Sequence, residues 1–392
     1  MLRCCFGFPA AHQQTVQPRS RRLPPDATET QRYRLSSLTS KGALARLAGI
    51  GAVVAAVAAA FAYVGGWLSP DRLSQAQIID RFEHLNGVHP GFRRNHAKGV
   101  CVAGSFESNG QGMRLSKAAV FEPGRVPVVG RFSLSGGHPF MADGPKDVRA
   151  LGLSFRPLHG EEWRTAMINI PVFVVKDPKA FYEQLLATRP DPATGKPDPA
   201  KLAAFTAAHP EFPAAMKVIA GHPFSSGFAD TRYNGLNAFR FVNANGVATP
   251  ARWSLVPTEP VVPQTPEPAK SEDKNYLFDE LMARLARGPL QWHLIVTVGR
   301  PGDTTDDATT PWPADREQVD VGTLTVARAE TEAPGNCRDI NFDPLVLPSG
   351  IEPSDDPLLS ARSATYSESF TRREGEAQTP SAVAVPIPGK GS

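Results

Sequence analysis

Arg93-Arg94-Asn95-His96-Ala97-Lys98-Gly99 runs straight into the apolar stretch 100–106 (VCVAGSF), and far downstream stands Arg362-Ser363-Ala364-Thr365-Tyr366. The first segment reads as an arginine-rich turn feeding a strand, which puts His96 at a strand mouth facing a cavity. In the second, a spacing of four puts Arg362 and Tyr366 on one helix face. A neutral imidazole moves protons well near physiological pH. A tyrosine phenolate can serve iron as an anionic donor. Free tyrosine titrates at about 10, so the phenolate needs a cation beside it, and Arg362 is the candidate. Taken singly, the two segments also suit a hydrogen-bonded structural histidine and a solvated helix face.

Working outward, short apolar runs bounded by Gly and Pro occur at 118–121, 126–134, 150–155, 171–175, 238–242, 252–257 and 292–298. Their spacing predicts strands of a barrel or sandwich. Helices are expected at 178–187, 199–208 and 276–286. An amphipathic helix is expected to start at Ser69-Pro70-Asp71, carry Leu73, Ile78, Ile79 and Phe82, and end near Gly87. The fold class is therefore α+β. Residues 257–268 read as a Pro-rich surface loop, 1–40 as disordered and 376–392 as a frayed, disordered tail.

Hydrophobic residues make up 41% of the 392, enough for a sizeable core. The 38 prolines are spread among Val, Phe and Leu runs, which favours loops and short strands over disorder. Charge is uneven: residues 1–69 hold eight Lys/Arg and two Asp/Glu, whereas 70–392 hold 34 and 37. The basic excess is a flank, which argues against a nucleic-acid face.

Residues 47–67 (LAGIGAVVAAVAAAFAYVGGW) carry no charge over 21 positions, long enough to span a hydrocarbon core. Arg19, Arg21, Arg22, Arg32, Arg34, Lys41 and Arg46 precede it, and Tyr63 and Trp67 close it. The positive-inside rule then keeps 1–46 in the cytoplasm and exports the chain beyond Trp67. A buried Ala-rich helix and a signal peptide cleaved near Ala58-Ala59-Ala60 are the other readings. Arg21-Arg22 is a weak twin-arginine signal, because Pro24-Pro25 comes next. The expected organisation is a cytoplasmic tail 1–46, a transmembrane anchor 47–67, a globular domain 70–375 and a tail 376–392.

Cys4 and Cys5 fall in the cytoplasmic tail, and Cys101 and Cys337 in the exported part. Four cysteines are too few for a disulfide scaffold, and no spacing suggests zinc. Cys101, in an apolar run, reads as a small buried hydrophobe rather than a thiolate ligand.

In order, over roughly 75–373, these segments resemble the haem catalases. His96-Ala97-Lys98-Gly99 followed by Gly104-Ser105-Phe106-Glu107 is similar to the family's segment after its essential histidine. Arg131-Phe132-Ser133 resembles the strand whose serine bonds that histidine and whose arginine holds a haem propionate. Ala142-Asp143 with Asp147 and Arg149 is similar to the segment lining the peroxide channel, and Pro171-Val172-Phe173 to the strand past the distal pocket. Phe239-Arg240-Phe241-Val242-Asn243 with Gly246, Phe342-Asp343-Pro344 and Gly350-Ile351-Glu352-Pro353-Ser354 are also family-like, the last leading into the tyrosine segment.

The resemblance implies a catalase-type antiparallel β-barrel with flanking helices, here preceded by one transmembrane helix, and a haem b cofactor. His96 would be the distal acid/base, Ser133 its orienting partner, Tyr366 the iron ligand and Arg362 the phenolate's counter-ion. Arg93, Arg131 and Arg373 would bind the propionates, and Phe173 would pack near the porphyrin.

Two departures stand out. The family's catalytic asparagine falls on Ile168, and Asn169 beside it would point to the opposite side of a strand. The long flanking arms and C-terminal helical domain of full catalases are also missing. With the apolar segment, this resembles the small catalase-related peroxidases of bacterial envelopes. The implied reading is a peroxidase on the inner membrane, its catalytic domain in the periplasm. Peroxide would enter over Asp143, and heterolysis would leave a ferryl haem that an unidentified electron donor returns to rest. A homo-oligomer is compatible with this. The rivals are a true catalase, a haem-binding protein without turnover, and a lipid hydroperoxide isomerase.

Overall fold

Period-two alternation decides where the site lies. In strand β2 (Gly124–Leu134), Phe132 and Leu134 join the main apolar core, while Arg131 and Ser133 face the other way into a cavity. The same holds for Leu151 and Leu153 against Ala150 and Gly152 in β3 (Arg149–Phe155), and for Met167 against Ala166 and Ile168 in β4 (Trp163–Ile168).

A computed structural model describes residues 41–64, 73–191, 193–263, 274–377 and 380–385. The chain divides into two compact units, residues 1–72 and 73–392. In the first unit, helix α1 (Lys41–Val64) has none of its residues buried and is long and apolar enough to cross a membrane. The flank 1–40, the end of the expected anchor at 65–67 and the proposed helix start at Ser69-Pro70-Asp71 lie outside the described residues.

In the second unit, β1 (Gly99–Ser108) pairs with β2, and β2 with β3 and β3 with β4 in turn. The chain then adds β5 (Tyr233–Asn234), β6 (Phe239–Val242), β7 (Ala248–Pro257), β8 (Leu290–Val298), β9 (Gln318–Glu330) and β10 (Ile351–Pro353). Because β9 pairs with β1 and β8 with β7, the sheet closes: β1–β5 and β7–β9 form an eight-stranded antiparallel barrel, with β6 and β10 extending from β7. Gly104 permits the β1–β9 contact, since a Cβ there would lie 1.8 Å from the Thr325 carbonyl oxygen, next to a register shift. The barrel fills with aromatics, among them Phe106, Phe132, Phe155, Trp163, Trp253 and Trp292.

Helix starts obey local capping chemistry. Ser74 and Gln77 form a capping box at α2 (Gln75–Asn86). An N-cap aspartate followed by proline opens α3 (Pro178–Ala187), α4 (Pro199–Ala208) and α7 (Pro357–Glu374). Between these lie α5 (Glu211–Ala220) and α6 (Tyr276–Arg287).

Several expectations are corrected. The run 118–121 holds a 3₁₀ turn, Ala119–Phe121, and 171–175 is a bent segment outside the sheet. Strands β4, β5, β9 and β10 and helix α5 were not anticipated. Cys101 is buried as expected, but it is bonded to Cys337, tying β1 to the segment after β9. Residues 376–385 are not a frayed tail in their described part: Glu376 pairs with Arg94, Ser381 Oγ accepts the Ala333 N–H, and Val383 is in the core.

Candidate active site

A cavity of about 490 Å³ lies against the outer face of β2–β5, under α7, α2 and α3. All eight residues singled out from sequence line it: His96, Ser133, Arg93, Arg131, Phe173, Arg362, Tyr366 and Arg373.

His96 sits just before β1 with φ 55°, a left-handed conformation uncommon for a residue with a Cβ. Three bonds hold it there. Asn95 Oδ1 accepts the His96 N–H at 3.0 Å, Arg131 Nη1 donates to the His96 carbonyl at 2.8 Å, and the Ala97 N–H donates to the Gly136 carbonyl at 2.9 Å. Ser133 Oγ stands 3.5 Å from His96 Nδ1, at the outer limit of a hydrogen bond. Burial, then the Arg131, Arg362 and Arg93 cations, push the imidazole pKa down to about 3. The His96 ring is thus neutral.

Tyr366 is carried by α7, whose residues Leu358, Arg362, Thr365, Tyr366, Ser369 and Arg373 line the cavity at helical spacing. Arg362 Nη2 lies 3.5 Å from Tyr366 Oη and also donates to the Ala166 carbonyl, while Nη1 donates to Asn237 Oδ1. Asn237 Nδ2 in turn donates to Asp356 Oδ2 at 2.7 Å, and Asp356 caps α7 through the Leu358 N–H. The aspartate that starts the helix therefore also orients, through one amide, the arginine beside the tyrosine.

Two arginines meet at Glu332, and a third, Arg373, lies within reach of its charge. Its carboxylate accepts from Arg131 Nε and Nη2 and from Arg93 Nη1 at 2.7 to 2.9 Å. Burial opposes its ionisation, but Arg131 and Arg93 outweigh burial and hold it below the ordinary carboxylate range. Arg93 also donates to the carbonyls of Cys337, Arg338 and Ile340, so the disulfide-tethered segment grips this arginine. Arg373, only 5% exposed, has no hydrogen bond or ion pair to its guanidinium among the described residues and sits against the Phe370 ring. Burial lowers its pKa to about 10. With three guanidiniums against one carboxylate, the cluster carries an excess of two positive charges, which complements a group with two carboxylates.

These residues fit a haem. Its two propionates would answer the Arg93–Arg131–Arg373 excess, and Tyr366 with Arg362 would offer the iron an oxygen donor. Ala150, Gly152 and Ala166 leave a low floor for a flat ring. Ile78, Ile79, Phe82, Phe173, Phe181 and Leu185 make an apolar wall.

Asp143 does not line the cavity. Its carboxylate is buried against Lys98 Nζ and accepts the Leu277 N–H at the start of α6, so it is structural and does not border the expected peroxide route. Ile168 does face the cavity, whereas Asn169 Oδ1 accepts the Arg149 N–H and leaves the pocket without that amide, as alternation requires. Sequence reading overlooked Glu332, Asn237, Asp356 and Phe181. Only Asp356 carried a signal, as an Asp-Pro helix start.

A family model described as catalase matches residues 62–387. The chain is 39% identical over 327 residues to a catalase-related peroxidase of Synechococcus elongatus, covering 83% of this chain and 94% of that protein. It is 34% identical to a catalase-related peroxidase of Mycolicibacterium paratuberculosis, covering 80% and 97%. Among solved structures, catalase A from Saccharomyces cerevisiae superposes with a TM-score of 0.65 at 22% identity, covering 76% of this chain and 64% of that one. A fungal catalase superposes equally well, with 62% of its chain covered. This chain therefore spans under two thirds of those full-length catalases.

Proposed function

The chain belongs to the catalase family, and from that premise we propose a membrane-tethered, haem b-dependent peroxidase that reduces peroxides, organic ones included. The observation that carries this reading is one cavity bearing a strained, neutral His96, the Arg362–Tyr366 pair and the arginine excess around Glu332. Arg93, Arg131 and Arg373 bind the propionates, Tyr366 ligates the iron, and Phe173 packs on the ring. When bound, the haem supplies the electrons for O–O cleavage. His96 takes the proton from one peroxide oxygen and delivers it to the other, with Ser133 holding its Nδ1 side. Ile168 favours a peroxidase over a true catalase, because the pocket lacks the family's amide for placing a second hydrogen peroxide. Turnover of hydrogen peroxide, an organic hydroperoxide and a dye reductant by the haem-loaded chain tests this. Dye oxidation with both peroxides and little dioxygen release is expected, and rapid dioxygen release without dye would point to a catalase.

The catalytic unit faces the periplasm, reduced there by an electron donor of the exported side. Helix α1, at 24 residues, reaches roughly 36 Å, more than a hydrocarbon core of about 30 Å. The Cys101–Cys337 disulfide suits an oxidising compartment. A reporter active only when exported, fused after Ser392, should work, and the protein should sediment with membranes after a carbonate wash. Activity of a cytoplasm-only reporter there would reverse the orientation, and soluble protein beginning shortly after Ala60 would make the segment a cleaved signal.

A further inference from the structure

We propose that Asn95 binds the hydroperoxide, its Nδ2–H donating to the substrate oxygens that His96 serves, in place of the amide absent at Ile168. This rests on the peroxidase reading above. Asn95 lines the cavity and directly precedes His96. Its Oδ1 accepts two backbone N–H groups, from His96 at 3.0 Å and Gly136 at 2.9 Å. Those two bonds decide which end of the amide is oxygen and fix its plane. Nδ2 is then an oriented donor with no protein acceptor among the described residues, and it is not sealed in the interior.

Asn341 and Gln184 also line the cavity with no side-chain hydrogen bond among the described residues, but only Asn95 is joined to His96 in the chain; the remaining wall amides serve elsewhere. Asn234 Nδ2 donates to the Ile170 carbonyl, and Asn237 joins Arg362 to Asp356. Asn169 is turned onto the Arg149 backbone. A donor separate from His96 holds the substrate oxygen during the interval in which the neutral imidazole is still an acceptor and has no proton to offer from that nitrogen. One peptide thus carries both parts: the histidine that moves the proton and the amide that holds the oxygen.

The haem-loaded full chain tests this with two substitutions. Asn95→Asp keeps the size and an oxygen for the His96 and Gly136 N–H groups but presents no donor. Ile168→Asn returns an amide at the family's position. With cumene hydroperoxide and a dye reductant, Asn95→Asp should lose about 10²-fold in kcat, the usual effect of removing one preorganised donor. Ile168→Asn should recover about tenfold in that background yet change the otherwise wild-type rate by less than about threefold, the non-additivity of two groups sharing one task. The C–O stretch of the carbon monoxide complex of the reduced protein reads the donor without turnover. It should rise in Asn95→Asp and fall again in the double variant.

An unchanged stretch, or the same rate gain from Ile168→Asn in both backgrounds, overturns the proposal. Should Asn95→Asp fail to fold, Ile168→Asn alone decides, since a gain above about threefold would mean the cavity had no donor to begin with. If the wild-type protein turns over no hydroperoxide, the peroxidase reading fails, while the C–O stretch still judges Asn95.

Discussion

Tyr366→Phe is expected to give a folded protein that has lost most of its haem, at least about tenfold in content after reconstitution, equivalent to about 1.4 kcal/mol or more of binding. The fold should survive. Helix α7 is held by the Asp356 cap, by buried Leu358 and Leu359 and by the Ser363–Asp343 hydrogen bond, none of which needs the hydroxyl. Arg362 would keep its bonds to Asn237 and the Ala166 carbonyl, so its charge is not stranded. The loss is confined to the one oxygen that stands 3.5 Å from Arg362 and would ligate the iron. The checks are a haem-to-protein ratio, the visible spectrum and a circular dichroism melt. Normal haem content with an unaltered spectrum would show that another residue ligates the iron.

His96→Ala should keep haem but lose about 10² to 10⁴ in peroxide turnover, the usual effect of a positioned proton shuttle. Because His96 sits at φ 55°, alanine keeps the strain that any Cβ meets there while losing the imidazole. His96→Asn separates the two effects, since asparagine tolerates the left-handed region. Both variants should be equally slow if the ring matters, and near-normal rates for His96→Asn would mean that only the backbone does.

The same residue predicts a pH profile. Its folded pKa is lowered to about 3 from an ordinary 6.5, first by burial and then by three arginines. Between those values the unfolded chain takes up the proton and the folded one does not. Its contribution to stability is therefore fully present above 6.5 and declines as pH falls towards 3. Turnover should accordingly show its acid limb well below 6.5. A limb at 6.5 would mean that the ring is solvated in the working enzyme.

The sequence alone determined the elements whose signals are local. Aspartate-proline pairs mark helix starts because each satisfies orphan amides within one turn, although the helix expected from Ser69-Pro70-Asp71 is capped instead by the Ser74–Gln77 box. The four-residue step from Arg362 to Tyr366 places them together by helix geometry, and the charge-free run 47–67 is read from length and composition. Period two already turned Asn169 away from the pocket. Family-like segments in matching order were enough to name eight of the residues that line the cavity.

Tertiary structure decided the features that depend on distant partners. Nothing local marks β9, yet its pairing with β1 closes the barrel, since a strand's partner is set by the sheet it joins. The Cys101–Cys337 bond spans 236 residues, and Glu332 reaches Arg93 and Arg131 from more than 200 residues away. Asp143 is claimed by Lys98, 45 positions before it in the chain, and so turns away from the cavity its sequence position suggests. Each of these contacts exists only because barrel closure brings its partners together. A buried charge must then find its counter-ion wherever the fold delivers one.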